Sequence, residues 1–503
     1  MLEAGLEAIS ILLSWPVILF LFVGTLIGLL FGAMPGLGGV VVLTLLLPIS
    51  VGFGANNTVA LFGAALGGVA FGGSISAILL NVPGTAPNAA TCLDGYPMSQ
   101  KGEAGKAIGA SAAASGLGAI FGIVILLAMI PIAREVVLSF ASPEFFMITM
   151  LGIVVIAFIT HGEFFKGLVA GGIGLMFTFV GFSPTTGALR YNLIDWLGFE
   201  TGRLYLYDGI GLVPAVIGTF AISEALHLLI KRRSTISAQN VGSSRSGVWS
   251  GIKSVWTHKM VWLQGSLIGT FIGMIPGVGG AVANFIAYLR ASQTNVNPEN
   301  FGQGDVRGVI GPEAANDAKD GGALLPTIAF GIPGSATMAI ILGALSLQGI
   351  PPGPNLITEE IQIIFVLIGA LIFANILTSL LGITFASHIA KITTVPTSYI
   401  IPIILVISLT GAYVINQEMG DVILAILIGI MAFFMVLYNY SRIAFIIGLI
   451  LGRIAEINFS QTSQAYDTGA LVIFTRPISL AFFIAIIATL MYPLLSSYLR
   501  KRS

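Results

Sequence analysis

Long, continuously apolar runs constrain this chain more than any other feature of its sequence. Such runs recur from end to end, and we expect about ten to twelve of them to cross a membrane, since a helical crossing needs about 20 apolar residues. Of the 503 residues, 56% are hydrophobic and 9% are charged, whereas soluble domains average about 25% charged residues. The runs do not alternate polar with apolar residues as the strands of a membrane barrel do. The predicted fold class is therefore an all-α polytopic membrane protein.

Several classes of function conflict with the composition. The formal net charge is zero, so the chain lacks the basic footprint of a nucleic-acid-binding protein. A single cysteine, Cys92, excludes an internal disulfide, and the four histidines lack metal-ligand spacing. The segment Gly102–Ala107 (GEAGKA) differs from a phosphate-binding loop in its glycine spacing. We therefore predict no cofactor, no metal site and no enzymatic activity, and an energy source other than ATP hydrolysis by this chain.

A basic, Ser- and Gly-rich segment divides the sequence in two. The stretch from Lys231 to Lys259 contains six Lys or Arg residues, both ends included, and no acidic residue, and an excess of Lys and Arg marks cytoplasmic loops. We predict a first transmembrane repeat over residues 1–230, a cytoplasmic linker over 231–260 and a second transmembrane repeat over 261–503.

The two predicted repeats share two motifs in the same order. Thr25–Val41 (TLIGLLFGAMPGLGGVV) and Ser266–Val282 (SLIGTFIGMIPGVGGAV) agree at nine of seventeen positions, at an offset of 241. Ile78–Ala86 (ILLNVPGTA) and Ile328–Ala336 (IAFGIPGSA) follow at an offset of 250. Ordered matches at nearly one spacing indicate an internal duplication. No Lys or Arg precedes Lys101, which favours an outside N-terminus, so we expect the repeats to have opposite orientations, as in many secondary transporters.

Each shared motif contains a Pro-Gly pair inside apolar sequence. The pairs begin at Pro35, Pro83, Pro276 and Pro333. Broken helices are tolerated at membrane depth only where the backbone lines a cavity or is buried in protein, and paired interruptions in two repeats point to a transporter's binding site. The alternative is that these small residues only pack helices closely.

Polar residues accompany these interruptions. Asn81, Thr85, Asn284, Ser335 and Thr337 carry hydroxyl or amide groups that could hydrogen-bond a carboxylate or ligate a sodium ion through oxygen. The alternative role is helix capping, which Ser, Thr and Asn favour.

A charged segment distinguishes the second repeat from the first. GPEAANDAKDGGA (Gly311–Ala323) replaces the uncharged Leu61–Gly73. In a helix, Glu313, Asp317 and Asp320 lie on one face with Asn316 beside them, whereas Lys319 lies off that face. Such a face could bind a coupling cation, and the alternative is a solvated polar loop.

These motifs together resemble the large membrane subunit of tripartite tricarboxylate transporters. The resemblance rests on the duplicated G-x-x-x-G-x-x-P-G-x-G-G signature, on NVPGTA, on DGYPM (Asp94–Met98) and on GPEAANDAKDGG followed by GIPGS, and it spans nearly the whole chain. It implies a permease of the bacterial inner membrane that imports citrate and related carboxylates, driven by a sodium or proton gradient. It also implies two partners, a periplasmic solute-binding protein and a small membrane subunit of about four helices.

Two other functions are alternatives to the one that the resemblance implies. They are a standalone ion-coupled symporter, or a channel, for another organic anion; coupled transport predicts saturable uptake that stops without the ion gradient.

The resemblance places function on the matching stretches. The candidate substrate- or ion-binding residues are Pro35, Gly36, Gly38, Gly39, Asn81, Pro83, Gly84, Thr85, Pro276, Gly277, Gly279, Gly280, Asn284, Glu313, Asn316, Asp317, Asp320, Pro333, Gly334, Ser335 and Thr337.

Overall fold

The computed structural model describes residues 2–34, 37–159, 164–191, 205–231, 247–293, 298–392 and 397–500. Helices dominate these residues, which confirms the predicted all-α class. In the first part of the chain the elements are α1 (Leu2–Leu12), α2 (Val17–Ala33), α3 (Gly38–Ile49), α4 (Ala55–Leu80), α5 (Ala89–Gln100), α6 (Ala104–Ser139), α7 (Ser142–Ile159), α8 (Phe164–Phe177), a two-residue hairpin of β1 (Gly181–Phe182) and β2 (Leu189–Arg190), α9 (Leu212–Val216) and, after a π-helical turn at Ile217–Ile222, α10 (Ser223–Lys231).

The second part begins at α11 (Val248–Thr257). It continues with α12 (Lys259–Gly273), α13 (Gly279–Gln293), α14 (Arg307–Phe330), α15 (Ala336–Leu347), α16 (Asn355–Thr358), α17 (Ile361–Ile392), α18 (Thr397–Asn416), α19 (Met419–Leu437), α20 (Arg442–Ala465) and α21 (Pro477–Arg500).

Seven helices among the described residues are long and apolar enough to cross a membrane. An eighth crossing results if α1 and α2, which meet at a 74° bend, are taken as one span. Five shorter apolar helices accompany them, among them α3 and α15. Apolar runs that the sequence presents as continuous are thus divided into shorter helices where glycine and proline interrupt the hydrogen-bond ladder.

The interruptions occur where the sequence places them. In the first half α2 ends at Ala33 and α3 begins at Gly38, and in the second α12 ends at Gly273 and α13 begins at Gly279. Both α4 and α14 end in a left-handed residue, Asn81 (φ 54°) and Gly331 (φ 69°) respectively. The same backbone conformation therefore ends the same helix in both halves.

Glycines allow the first helix of each half to lie directly against a longer one. A Cβ at Gly24, Gly28 or Gly32 of α2 would overlap backbone carbonyls of α4, and the matching Gly265, Gly269 and Gly273 of α12 face carbonyls of α14 in the same way. These glycines of α2 and α12 therefore serve close helix packing.

The direction of each helix follows from which residues meet. Gly118 and Gly122 of α6 contact Ala314 and Ala318 of α14, so these two helices run parallel. By the same criterion α2 is parallel to α4, α4 to α17, and α12 to α14.

The two groups of helices run in opposite directions. The end of α4, around Ile78, shares an apolar cluster with Ala107 at the start of α6 and with Val309 at the start of α14. Helices α2, α4 and α17 are therefore antiparallel to α6, α12 and α14. Helix α6 of the first half and helix α17 of the second each lie against the long helix of the other half, so the halves are interlocked.

Half of the basic linker lies outside the described residues, because its positions 232–246 are not among them. Its later part forms α11, which packs on α6 where Gly251 meets the backbone of Lys106. The repeat boundaries and the cytoplasmic placement stay predictions.

Candidate functional site

The interruptions of the two halves come together at one place. An ideal Cβ built on Gly38 lies 4.0 Å from the carbonyl oxygen of Gly84. In the second half, the Gly277 amide donates to the Gly334 carbonyl at 3.0 Å. These two contacts join each signature to the Pro-Gly turn of its own half. Pro35 and Gly36 lie outside the described residues.

Further contacts join each signature to the turn of the other half. An ideal Cβ on Gly39 lies 3.4 Å from Thr337 Cγ2, and one on Gly280 lies 2.9 Å from Pro87 Cγ. Since Pro87 and Thr337 are equivalent in the two motifs, both signatures contact both turns. The structure thereby gathers the interruptions into one ring, which sequence spacing could not establish.

This ring lies halfway along the long helices. Gly32, at the end of α2, faces Val69 of α4, and Gly273, at the end of α12, faces Lys319 of α14. Both Val69 and Lys319 lie near the middle of their helices. Two half-helices thus approach one level from opposite sides, as at the binding sites of secondary transporters.

Two glycines at the ring have both a special conformation and free space. Among the described residues, Gly38 (φ 33°) has no neighbour closer than 3.9 Å to an ideal Cβ, and Gly279 (φ 75°) has none within 4 Å. A positive φ strains any residue with a side chain. The open side of each glycine leaves room for another molecule to approach the bare backbone.

The glycines of the Pro-Gly turns have a different role. A Cβ on Gly84 would overlap the Gly32 carbonyl and the backbone of Gly73, and one on Gly334 would lie 2.8 Å from the backbone of Ala323. Gly84 and Gly334 therefore allow close packing that holds the turns in the ring, together with Pro83 and the buried Pro333.

Lys319, which the sequence arguments set aside, lies inside the site. Its side-chain carbons lie against Gly280 in the first turn of α13, where an ideal Cβ would overlap them. Its Nζ forms an ion pair with Asp320 Oδ1 at 3.0 Å. The equivalent of Lys319 in the first half is Val69, 3.2 Å from an ideal Cβ on Gly39. The alignment of the two halves was the signal that could have identified this lysine.

Asn284 joins the second signature to the first half. Its Nδ2 donates to the Pro87 carbonyl at 3.0 Å, whereas its buried Oδ1 has no hydrogen-bond partner among the described residues. Asn284 thus presents an unused acceptor beside Gly280 and Pro87.

The acidic segment is helical and buried. Glu313, Asn316, Asp317 and Asp320 are 0–6% exposed within α14, so the solvated-loop alternative is wrong. Helices α6 and α12 pack against this helix, which sequence polarity alone does not reveal.

Glu313 is enclosed by hydroxyl donors from the first half. Its Oε2 accepts from Ser74 Oγ at 2.7 Å and from Ser111 Oγ at 2.8 Å, and its Oε1 accepts from Thr91. These donors come from α4, α6 and α5, so one carboxylate joins three helices to α14.

Asp317 is only half satisfied. Its Oδ2 accepts from Ser115 of α6, whereas its buried Oδ1 and the nearby Asn316 Nδ2 have no hydrogen-bond partner within the described part of the chain. A buried carboxylate oxygen without a donor is costly. This atom is therefore available to a cation.

The residues that flank the turns mostly stabilise the backbone. Ser335 caps α15 by accepting from the Met338 amide at 3.3 Å, and its hydroxyl lies 2.8 Å from that of Thr337. Thr85 bonds to the Asn88 side chain. Exposed Asn81 occupies the left-handed position that ends α4. The capping alternative accounts for Ser335 and Asn81, and a ligand role for either stays a prediction.

Asp94, in the DGYPM motif, is a structural residue that sequence reasoning did not single out. Its Oδ1 accepts from the amides of Gly302, Gly304 and Asp305 at 2.7–2.9 Å, and its Oδ2 accepts from Tyr288 at 2.9 Å. This buried carboxylate of the first half fixes the loop that leads into α14.

The chain matches a protein-family model over most of its length. The tripartite tricarboxylate transporter TctA family model matches residues 18–447, which include every part of the ring. The chain belongs to the TctA family. It is therefore a multi-pass membrane protein of a transporter family, as its motifs predicted.

Two relatives from Agrobacterium vitis are also similar to this TctA-family chain. The "Uncharacterized 52.8 kDa protein in TAR-I ttuC' 3'region" is 30% identical over 492 residues, covering 96% of this chain and 94% of the relative. The "Uncharacterized protein in TAR-II ttuC' 3'region" is 31% identical over 211 residues, covering 42% of this chain and 87% of the relative. No solved structure matches the chain.

Proposed function

We propose that this chain is the large permease subunit of a binding-protein-dependent secondary transporter that imports carboxylates of the citrate type. The observation that carries the proposal is the ring at which two oppositely directed half-helices and two Pro-Gly turns meet. Half-helix ends with an accessible backbone bind ions and anionic groups at such junctions. Membership of the TctA family supports a tripartite assembly with a periplasmic solute-binding protein and a small membrane subunit.

We further propose that Asp317 binds the coupling ion, sodium or a proton. Its unpartnered Oδ1 supports this role, and Asn316 beside it adds a polar side chain. Glu313 is a poorer candidate, because three hydroxyls already occupy its oxygens.

Replacing Asp317 with Asn tests the coupling. Removing its charge should raise the sodium or proton concentration for half-maximal citrate uptake by about tenfold or more, the equivalent of one charge-assisted hydrogen bond. Uptake is measured in energised membrane vesicles that contain all three proposed components. Glu313→Gln is the matched control, expected to lower thermal stability and leave the ion dependence intact.

The same vesicles distinguish the alternative functions. Loss of uptake without the solute-binding protein supports the tripartite proposal, whereas full uptake without it favours a standalone symporter. Flux that persists without any ion gradient favours a channel. An ion dependence that is the same in Asp317→Asn and wild type contradicts the role of Asp317.

A further inference from the structure

We propose that Lys319 recognises the negative charge of the cargo, and that Asp320 occupies its ammonium group while no cargo is bound. This inference rests on the proposed carboxylate transport and names the residue that selects for an anion. In it, one carboxylate of the cargo binds between Lys319 Nζ and the first turn of α13, in place of the Asp320 carboxylate.

The position of Lys319 is the first argument. Its side chain lies against the second-half signature at the point where the first-half turn also meets it, since an ideal Cβ on Gly280 meets both Lys319 and Pro87. Side chains of Lys319 and Asp320 are 16% and 9% exposed. The Lys319 ammonium group is thus partly accessible within the ring and is not fully exposed to solvent.

The comparison between the two halves is the second argument. Val69 occupies the equivalent position in the first half, against Gly39 and Thr337. The same backbone arrangement therefore forms with an apolar side chain. A buried ion pair is on average no more stabilising than well-packed apolar residues. The fold accordingly does not require the Lys319–Asp320 pair, whereas removal of Lys319 alone leaves the buried Asp320 carboxylate unpaired.

The unpaired acceptor of Asn284 is the third argument. Its Oδ1 is fully buried and has no hydrogen-bond partner in the described part of the chain. Because Nδ2 is committed to the Pro87 carbonyl at 3.0 Å, the amide orientation is fixed and Oδ1 stays an acceptor. A cargo with a hydroxyl or a protonated carboxyl group could donate to it. The positive end of α13 and Lys319 would meanwhile attract an ionised carboxylate.

The ring is therefore asymmetric in charge. The part built on Gly279, Gly280 and Lys319 suits an anionic end of the cargo, whereas the part built on Gly38, Gly39 and Val69 suits an uncharged portion. A symmetrical backbone thus carries a directional binding site.

Citrate kinetics of Lys319 variants test this inference. In energised vesicles with the complete assembly, Lys319→Gln and Lys319→Val should raise the KM for radiolabelled citrate by about ten- to a hundredfold, the range expected for a lost charge-assisted hydrogen bond. Asp320→Asn should lower that KM, because the internal competitor for Lys319 loses its charge. The uncharged triamide of citrate should compete weakly with citrate in the wild type.

The matched control is Lys106→Gln. Lys106 also pairs with a neighbouring carboxylate, Glu103 at 3.4 Å, but on the surface of the molecule, so its loss should leave the KM unchanged. Thermal stability in detergent checks the folding of every variant, and Lys319→Val copies the residue that the first half already accommodates.

Two results overturn the inference. One is a citrate KM within about twofold of wild type in both Lys319→Gln and Lys319→Val. The other is a changed ion dependence at an unchanged citrate KM, which would assign Lys319 to coupling. Absence of carboxylate uptake by the wild-type assembly instead refutes the proposed function, so the two failures are distinguishable.

Discussion

At the scale of single residues, glycines with similar sequence surroundings have different roles. Gly28 and Gly269 lie against backbone carbonyls, Gly84 is enclosed by two other glycines, and Gly279 faces open space with a positive φ. Glycines that look alike in the sequence thus serve either helix packing or the formation of a site. Only the neighbouring backbone assigns each role.

Gly279→Ala should abolish uptake without unfolding the protein. The alanine is strained by about 1 kcal/mol at φ 75°, and its methyl group occupies the free space where we expect the cargo to approach. Gly102→Ala is the matched control, because Gly102 has φ 82° and its ideal Cβ also has no described residue within 4 Å. Both variants should lose similar thermal stability in detergent, and only Gly279→Ala should lose citrate uptake. If Gly279→Ala transports citrate as well as Gly102→Ala does, then Gly279 only shapes the backbone and does not border the cargo.

At the scale of helices, the long central helices determine where the interruptions lie. The glycines of α2 and α12 bring these helices to within backbone contact of α4 and α14. Each then ends beside the middle of its partner, at Val69 or Lys319. The level of the site is therefore set by helix packing, and the Pro-Gly pairs allow the chain to break there.

Substituting a packing glycine should destabilise the molecule. In Gly269→Ala the new methyl overlaps the Ala315 backbone, and because α14 cannot withdraw as a flexible side chain would, we expect a loss of about 1–3 kcal/mol. Gly172→Ala in α8 is the matched control: no atom in the described part of the chain lies within 4 Å of its new Cβ, so helix propensity should raise stability by up to about 1 kcal/mol. Thermal unfolding in detergent measures both signs. A stabilised Gly269→Ala would show that α12 and α14 are further apart than described.

At the scale of the whole molecule, the two halves are antiparallel and interlocked. Helices α6 and α17 each lie against the long helix of the other half, and Glu313 and Asp94 bond across the same boundary. Movement of one half would therefore shift the buried groups that contact the other. We expect the alternation of access to involve paired movements of α4 with α17 and of α6 with α14.

Labelling of single cysteines tests the opposite orientations in a membrane. Ser14 precedes α2 and Thr257 precedes α12, and both are exposed. In a Cys92→Ser background, a membrane-impermeant maleimide added to intact cells should label Ser14→Cys and not Thr257→Cys. The pattern should reverse in inside-out vesicles. Labelling of both from the same side would contradict an inverted arrangement across the bilayer.

The sequence by itself determined the class of the molecule and the parts from which its site is made. Apolar runs with few charges require membrane helices, because a soluble fold cannot cover that much apolar surface. The repeated Pro-Gly motifs located the breaks in α2–α3, in α12–α13 and after α4 and α14, since an adjacent proline and glycine together remove a backbone donor and disfavour helical conformation at one point of the chain.

The tertiary structure alone decided how those parts combine. It brought Gly39 to Thr337 and Gly280 to Pro87, placed Lys319 in the ring, and buried Glu313 and Asp317 among the helices of the other half. Local propensity cannot specify such contacts, because they join residues about 200 or more positions apart and depend on how antiparallel halves pack. Whether a polar helix lies in solvent or in the protein interior likewise depends on the helices that cover it, and those belong to distant parts of the chain.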